Sequence, residues 1–310
     1  MKAFFTWVML ICSSVTLASS LENIVVFGDS LSDTGNLYSY THQKMPSSPP
    51  YYEGRFSNGP IWVERLSALY FPKHPEAHLA NYAFGGAAVD ADNDDSEDAL
   101  FTLNNEINTY FLAHHDKADP NSLFVVWIGA NNYFTMPEDI DEAVDGIVGS
   151  IKKSLERLVD RGAKHILVLG LPDLGKTPVA REYEIENELT QMSQKHNLAI
   201  ENMVLQLKQS HADMDWIYFD VYSDFDRIFH FPKQYGLTNV LDTCYGSVES
   251  QSMRPQSMLK VLEHMPNTDY HACDGFLYFD PVHPTTTAHQ IVAEEIKQRL
   301  TDEQINFIEE

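Results

Sequence analysis

NIVVFGDSLSDTGN, residues 23–36, reads as a strand that breaks into a tight turn. Its first half is apolar and β-branched, the character of a strand buried on both faces. Gly28, Asp29 and Ser30 follow without a spacer, and a helix-like segment is expected to begin directly after them. A strand feeding a helix in this way is the unit of a parallel α/β sheet. Its turn falls at the carboxyl edge of that sheet, where open α/β folds bind ligands. Ser30 stands at that edge. Two readings of it are level on these residues alone. With Asp33 three positions on, Ser30 fits a helix cap. Next to helix-start amides, which favour developing negative charge, it also fits a nucleophile. A G-x-S-x-G elbow is absent, because Ser32 occupies the place of the second glycine.

The same alternation continues along the chain. Short apolar runs at 24–27, 79–83, 123–128, 165–169 and 216–220 read as strands. Helical patterns at 60–70, 102–114, 140–160, 182–210 and 285–300 lie between and after them. In 140–160 the apolar residues Ala143, Val144, Ile147, Val148, Ile151, Leu155 and Leu158 recur at helical spacing. The expected architecture is one domain over 21–310, with a mostly parallel five-stranded sheet covered by helices on both faces. Residues 42–58 hold Pro46, Pro49 and Pro50 and read as an ordered loop. The acid run DADNDDSED, 90–98, fails the EF-hand pattern because Asp95 and Phe101 take the Gly and Glu positions, so it reads as a solvated loop. Residues 222–279 resist assignment.

Composition narrows the partners. The 310 residues include 45 acidic and 21 basic side chains, for a formal net charge of −24. Nucleic acid needs a basic patch that this balance does not favour, and strongly anionic membranes should repel the surface. Residues 1–20 have the form of a cleaved secretory leader: Lys2, an apolar run over 3–17, then Ala18-Ser19-Ser20. The run is shorter than the ~20 residues of a membrane span. Ile11 before Cys12 argues against lipoprotein processing. Export to the periplasm or beyond follows as an expectation. Two cysteines then remain, Cys244 and Cys273, which reads as one disulfide. The segment between them is expected to be a staple, with a lid over the site as the sharper alternative.

Three further groups fall at predicted strand ends or in the last loop. Asp280-Pro281-Val282-His283-Pro284 places an acid and an imidazole three apart between prolines. A serine nucleophile needs such a base and such an orienter, although a turn with Thr285 capping the next helix explains the same residues. Gly85-Gly86 and Gly129-Ala130-Asn131-Asn132 follow the second and third runs. They offer a backbone amide and a side-chain amide to an oxyanion, or simply serve as turns and caps. No metal-ligand spacing is present: His74 and His78 flank a proline.

Taken in order, FGDSLSDTGN, NYAFGGA, WIGANNY and DPVHP resemble the four blocks of the GDSL (SGNH) hydrolases. PPYYEGRFSNGPIWVE, residues 49–64, is similar to a segment of that family's secreted lipase branch. The resemblance spans the expected mature chain nearly end to end. It implies a flavodoxin-like α/β/α fold and no metal or other cofactor. It implies Ser30 as nucleophile, His283 as base and Asp280 as its orienter. The oxyanion hole would be the amides of Ser30 and Gly86 with the side chain of Asn131. Asn132 departs from the aspartate frequent at that position. The branch most like this chain contains bacterial phospholipases and lysophospholipases A, some of whose relatives pass acyl chains to sterols. The expected function is therefore hydrolysis of fatty acyl esters of lysophospholipids or phospholipids, with passing contact to a membrane or micelle surface. A carbohydrate O-acetyl or aryl esterase and a non-catalytic lipid-binding or adhesin module are the alternatives.

Overall fold

The computed structural model describes residues 20–90, 101–245 and 273–309. Nearly all of the leader, the acid run and the segment between the cysteines lie outside these residues. The central sheet contains β1 (Asn23–Gly28), β2 (Leu79–Asn81), β3 (Ser122–Trp127), β4 (His165–Leu169) and β5 (Asp215–Phe219). All are parallel, in the order β2-β1-β3-β4-β5. The fold is α/β with a five-stranded parallel sheet.

The inner strands β1, β3 and β4 read as continuous apolar runs because both their faces are buried, whereas the edge strand β2 is only half-buried. Val25 and Phe27 of β1, with Phe124 and Val126 of β3, pack into one core layer. Ile24 and Val26, with Leu123, Val125 and Trp127, pack into the opposite one. The first layer is closed by α3 (Leu103–Ala113), α5 (Ile140–Asp160) and α7 (Glu186–Ser210), and the second by α2 (Trp62–Tyr70), α8 (Val221–His230) and α9 (Thr286–Asp302). In α5 the periodic residues from Val144 to Leu158 are the buried ones, and Asp139 caps the helix by accepting from the amides of Asp141 and Glu142.

Four boundaries differ from the sequence reading. The helix expected directly after Ser30 begins only at α1 (Asn36–Tyr40). Residues 29–33 instead form a turn in which the Asp29 carbonyl accepts from the amides of Ser32 and Asp33. The helix expected over 182–210 is α7 (Glu186–Ser210), which begins four residues later; a separate short helix, α6 (Pro178–Glu182), precedes it, and Glu184 between them takes φ 56°. Within 222–279 lie most of α8, β6 (Asn239–Thr243) and β7 (Phe276–Tyr278). The last two form a small parallel pair that the sequence did not suggest. A helix α4 (Ala130–Phe134) follows β3 directly. Cys244 and Cys273 are joined as a disulfide. No helix among the described residues is long and apolar enough to cross a membrane.

Candidate active site

Gly28 ends β1 where only a glycine fits: a Cβ there would lie 2.3 Å from the Trp127 carbonyl oxygen of β3. Its amide donates to Glu106 Oε2 of α3 at 2.8 Å. The chain then turns through Asp29, whose Oδ1 accepts from the Leu31 amide at 3.0 Å. Burial pushes the Asp29 carboxyl up to about 6, against the opposing pull of the Leu31 amide and of His283. Burial also pushes Glu106 well above the usual carboxylate range, and the charges of Asp29 and Asp33 add to this. Ser30 is held at the corner of this turn, 7% exposed.

The other loops at the same sheet edge are laced to it. Asp33 accepts from the amides of Gly35, Asn36 and Leu37, so it caps α1 itself rather than pairing with Ser30. It also accepts from the Gly85 amide at 2.7 Å, tying the loop after β2 to the turn after β1. Asn36 donates to the carbonyls of Asn81 and Ala83. Gly86 sits at φ 81°, in the left-handed region that glycine tolerates. Asn131, in the first turn of α4, donates one amide proton of Nδ2 to the Ala87 carbonyl at 2.8 Å. That bond fixes the amide and leaves its second proton for another acceptor. Asn132 accepts from the Val89 amide, so the residue that departs from the family pattern is used structurally.

Residues 280–283 close a tight loop between β7 and α9, in which the Phe279 amide donates to the His283 carbonyl. His283 Nε2 lies 2.7 Å from Ser30 Oγ, and its Nδ1 lies 2.7 Å from Asp280 Oδ2. The other carboxylate oxygen, Oδ1, accepts from the amides of Val282 and His283. Asp280 and His283 are 0% and 1% exposed. The Phe56 ring leans on the imidazole, centroids 5.1 Å apart. Thr285 caps α9 by accepting from the Ala288 amide. The turn and cap are thus present, and they leave the carboxylate, the imidazole and Ser30 within hydrogen-bonding distance. Chemically, the arrangement can pass a proton from Ser30 Oγ to Nε2 while Asp280 fixes the tautomer and supports the imidazolium.

Ser30, His283 and Asn131 also border a narrow crevice of about 30 Å³. Trp127, Phe134, Leu174, Phe225, Tyr278 and Val282 line its walls. Tyr51, Phe56 and Trp62 are buried in the core, and Tyr52 is exposed. Two groups at the site escaped the sequence reading. Tyr51 donates its hydroxyl to Asp280 Oδ2 at 2.8 Å from 229 positions away. Glu106 sits among Leu103, Ile107 and Tyr110 on the buried face of α3, and that helical spacing was its available signal.

A serine, an imidazole and a carboxylate in register at the edge of a parallel α/β sheet have the geometry of a serine-nucleophile hydrolase. The chain belongs to the GDSL-like lipase/acylhydrolase family, whose model matches residues 24–296, and is a carboxylic ester hydrolase of GDSL type. It is 33% identical to the phosphatidylcholine-sterol acyltransferase of Aeromonas hydrophila, over 95% of this chain and 96% of that one. It is 28% identical to the thermolabile hemolysin of Vibrio parahaemolyticus over 89% of this chain, spanning 63% of the hemolysin's length. Among solved structures, Est24, a carbohydrate acetylesterase from Sinorhizobium meliloti, matches with a TM-score of 0.48 at 11% identity, covering 91% of this chain and 99% of that one.

Proposed function

We propose that this chain is an exported serine esterase, its leader over 1–20 removed, that cleaves fatty acyl esters of lysophospholipids and of phospholipids. The observation that carries the reading is the apolar crevice bordered by Ser30, His283 and Asn131. The crevice is narrow, so its apolar walls rather than its volume favour an acyl chain, by roughly 0.8 kcal/mol for each CH₂ buried as they part; an acetyl group has only a methyl to bury. The A. hydrophila relative supports a phospholipid acyl donor.

In this account Ser30 Oγ attacks the ester carbonyl as His283 Nε2 takes its proton. The carbonyl oxygen becomes an oxyanion, held by the amides of Ser30 and Gly86 and by Asn131 Nδ2, each worth ~3–4 kcal/mol to the transition state. The intermediate collapses to an acyl-enzyme, and His283 gives the proton to the departing alcohol oxygen of the glycerol backbone. Water then enters, loses a proton to His283, and releases the fatty acid with Ser30 restored. Another alcohol in place of water yields a new ester by the same steps.

Product analysis tests the substrate class. Purified protein is given a lysolipid, a diacyl phospholipid, a triglyceride and an acetylated sugar, and free acid is quantified for each. Release from the lysolipid and the phospholipid above the others is expected. Turnover of the acetylated sugar above that of both would reassign the enzyme to carbohydrate esters.

A further inference from the structure

Asp280 accepts four hydrogen bonds, and one of them comes from outside its own loop. Oδ1 takes the amides of Val282 and His283. Oδ2 takes His283 Nδ1 at 2.7 Å and the Tyr51 hydroxyl at 2.8 Å. Tyr51 therefore shares the single oxygen that orients the imidazole. Its ring is fixed edge-on by Phe56, Tyr245 and Phe279, at centroid separations of 6.0, 5.8 and 5.1 Å. Tyr245 follows the half-cystine Cys244, and its amide donates to the Phe279 carbonyl at 2.7 Å, so the disulfide pins this aromatic wall beside Asp280.

We propose that Tyr51 is a positioning residue of the hydrolysis: its hydroxyl draws charge from Asp280 and thereby sets how tightly His283 holds a proton. The inference rests on the Ser30–His283–Asp280 reading and not on the identity of the ester. Hydrogen bonds to an ionised acceptor are strong, and stronger in a buried site. Two donors on one carboxylate oxygen compete for the same charge. With Tyr51 in place, Asp280 supports the imidazolium less, and neutral His283 persists to lower pH. Without it the carboxylate charge falls on His283 alone, the imidazolium is favoured, and the base form is lost at a higher pH.

Burial, together with the Asp280 charge, pushes the Tyr51 hydroxyl well above its ordinary range, so it remains a donor at every assay pH. Three further titratable groups act on this pair. Asp29 acts electrostatically on His283 and titrates at about 6. His289 is held down to about 3 by burial first and then by His283 and Arg65, so it is neutral throughout the assay range. Tyr245 is pushed up by burial and by Asp280. Among the described residues, Tyr51 and His283 alone share Asp280 Oδ2.

The rate of fluorophosphonate labelling from pH 5 to 9 reads the base form of His283 without any substrate. ¹⁵N-histidine spectra, with His283→Gln for assignment, separate its titration from that of Asp29. Tyr51→Phe keeps the ring and removes the donor. Its labelling limb and its His283 titration should both move up by about half to one pH unit, slowing labelling roughly three- to tenfold below the limb. Replacing Tyr51 with 3-fluorotyrosine, a more acidic phenol and a better donor, should move both down. A limb and a titration unmoved by either replacement, or moved the same way by both, would overturn the inference even if labelling slowed evenly at all pH. A wild-type protein that is not labelled on Ser30 would overturn the catalytic reading and this inference with it. An error confined to the acyl substrate would leave the comparison intact.

Discussion

At Ser30, Asn131 and Asp29, neighbouring side chains at one sheet edge have different work to do. Asn131 already spends one proton on Ala87, and in the proposed mechanism its remaining proton serves the oxyanion rather than the ground-state carbonyl. Asn131→Ala should lower kcat about 10²–10³-fold while KM changes little, read from initial rates on a lysolipid. An effect confined to KM would make Asn131 a substrate-binding residue instead. Asp29 gives a pH signature of folding. Folded, it titrates at about 6; an unfolded aspartate does so near 3.8. Between those values the folded chain binds more protons, so this residue's stabilising contribution is present at low pH and is lost as pH rises. Asp29→Asn does not titrate. Urea unfolding from pH 4 to 7 should show wild type losing on the order of 2 kcal/mol relative to Asp29→Asn, with no further change above about pH 6. Parallel curves would show that Asp29 keeps an ordinary titration in the folded chain.

Elements differ in how far their sequence gives them away. β1, β3, β4 and most of β5 were legible because they are short, apolar and buried, whereas β2 is Leu-Ala-Asn and only half-buried, and it was the apolar run around it that marked its place. α5 was legible because its apolar residues keep a helical period over 21 positions. The start of α1 was not, since Asp33 satisfies the free amides of Gly35, Asn36 and Leu37 and the helix begins only at Asn36, past the turn. β6 escaped because it is only partly buried and pairs with a strand more than thirty residues away. Ser30, Asp280 and His283 stood out through motif order and local spacing, whereas the Tyr51–Asp280 bond depends on tertiary packing across 229 positions. The disulfide belongs to this scale too. It closes a separation of 29 residues and sits in the cluster of Tyr51, Phe56, Tyr245 and Phe279. A Cys244→Ser, Cys273→Ser variant should lose ~3–4 kcal/mol in urea unfolding, from the loop-closure entropy restored to its unfolded state. Unchanged stability would mean that the β6–β7 pairing and the aromatic cluster hold this region unaided.

Across the whole molecule, the sheet collects its chemistry at one edge. The loops after β1, β2 and β3 carry Ser30, Gly86 and Asn131, and the small β6–β7 pair delivers Asp280 and His283 to them. Leu174, in the connection after β4, and Phe225 of α8 complete the apolar walls. With a formal net charge of −24, the proposed lipase is expected to act more readily on zwitterionic or dispersed lipids than on strongly anionic bilayers. Everything in the account passes through Ser30 Oγ. The most direct measurement is turnover of lysophosphatidylcholine by purified wild type and Ser30→Ala, with urea unfolding of both as the control. The account predicts a loss of about 10⁴–10⁶-fold in kcat with stability nearly unchanged. Near-wild-type turnover by Ser30→Ala would contradict it.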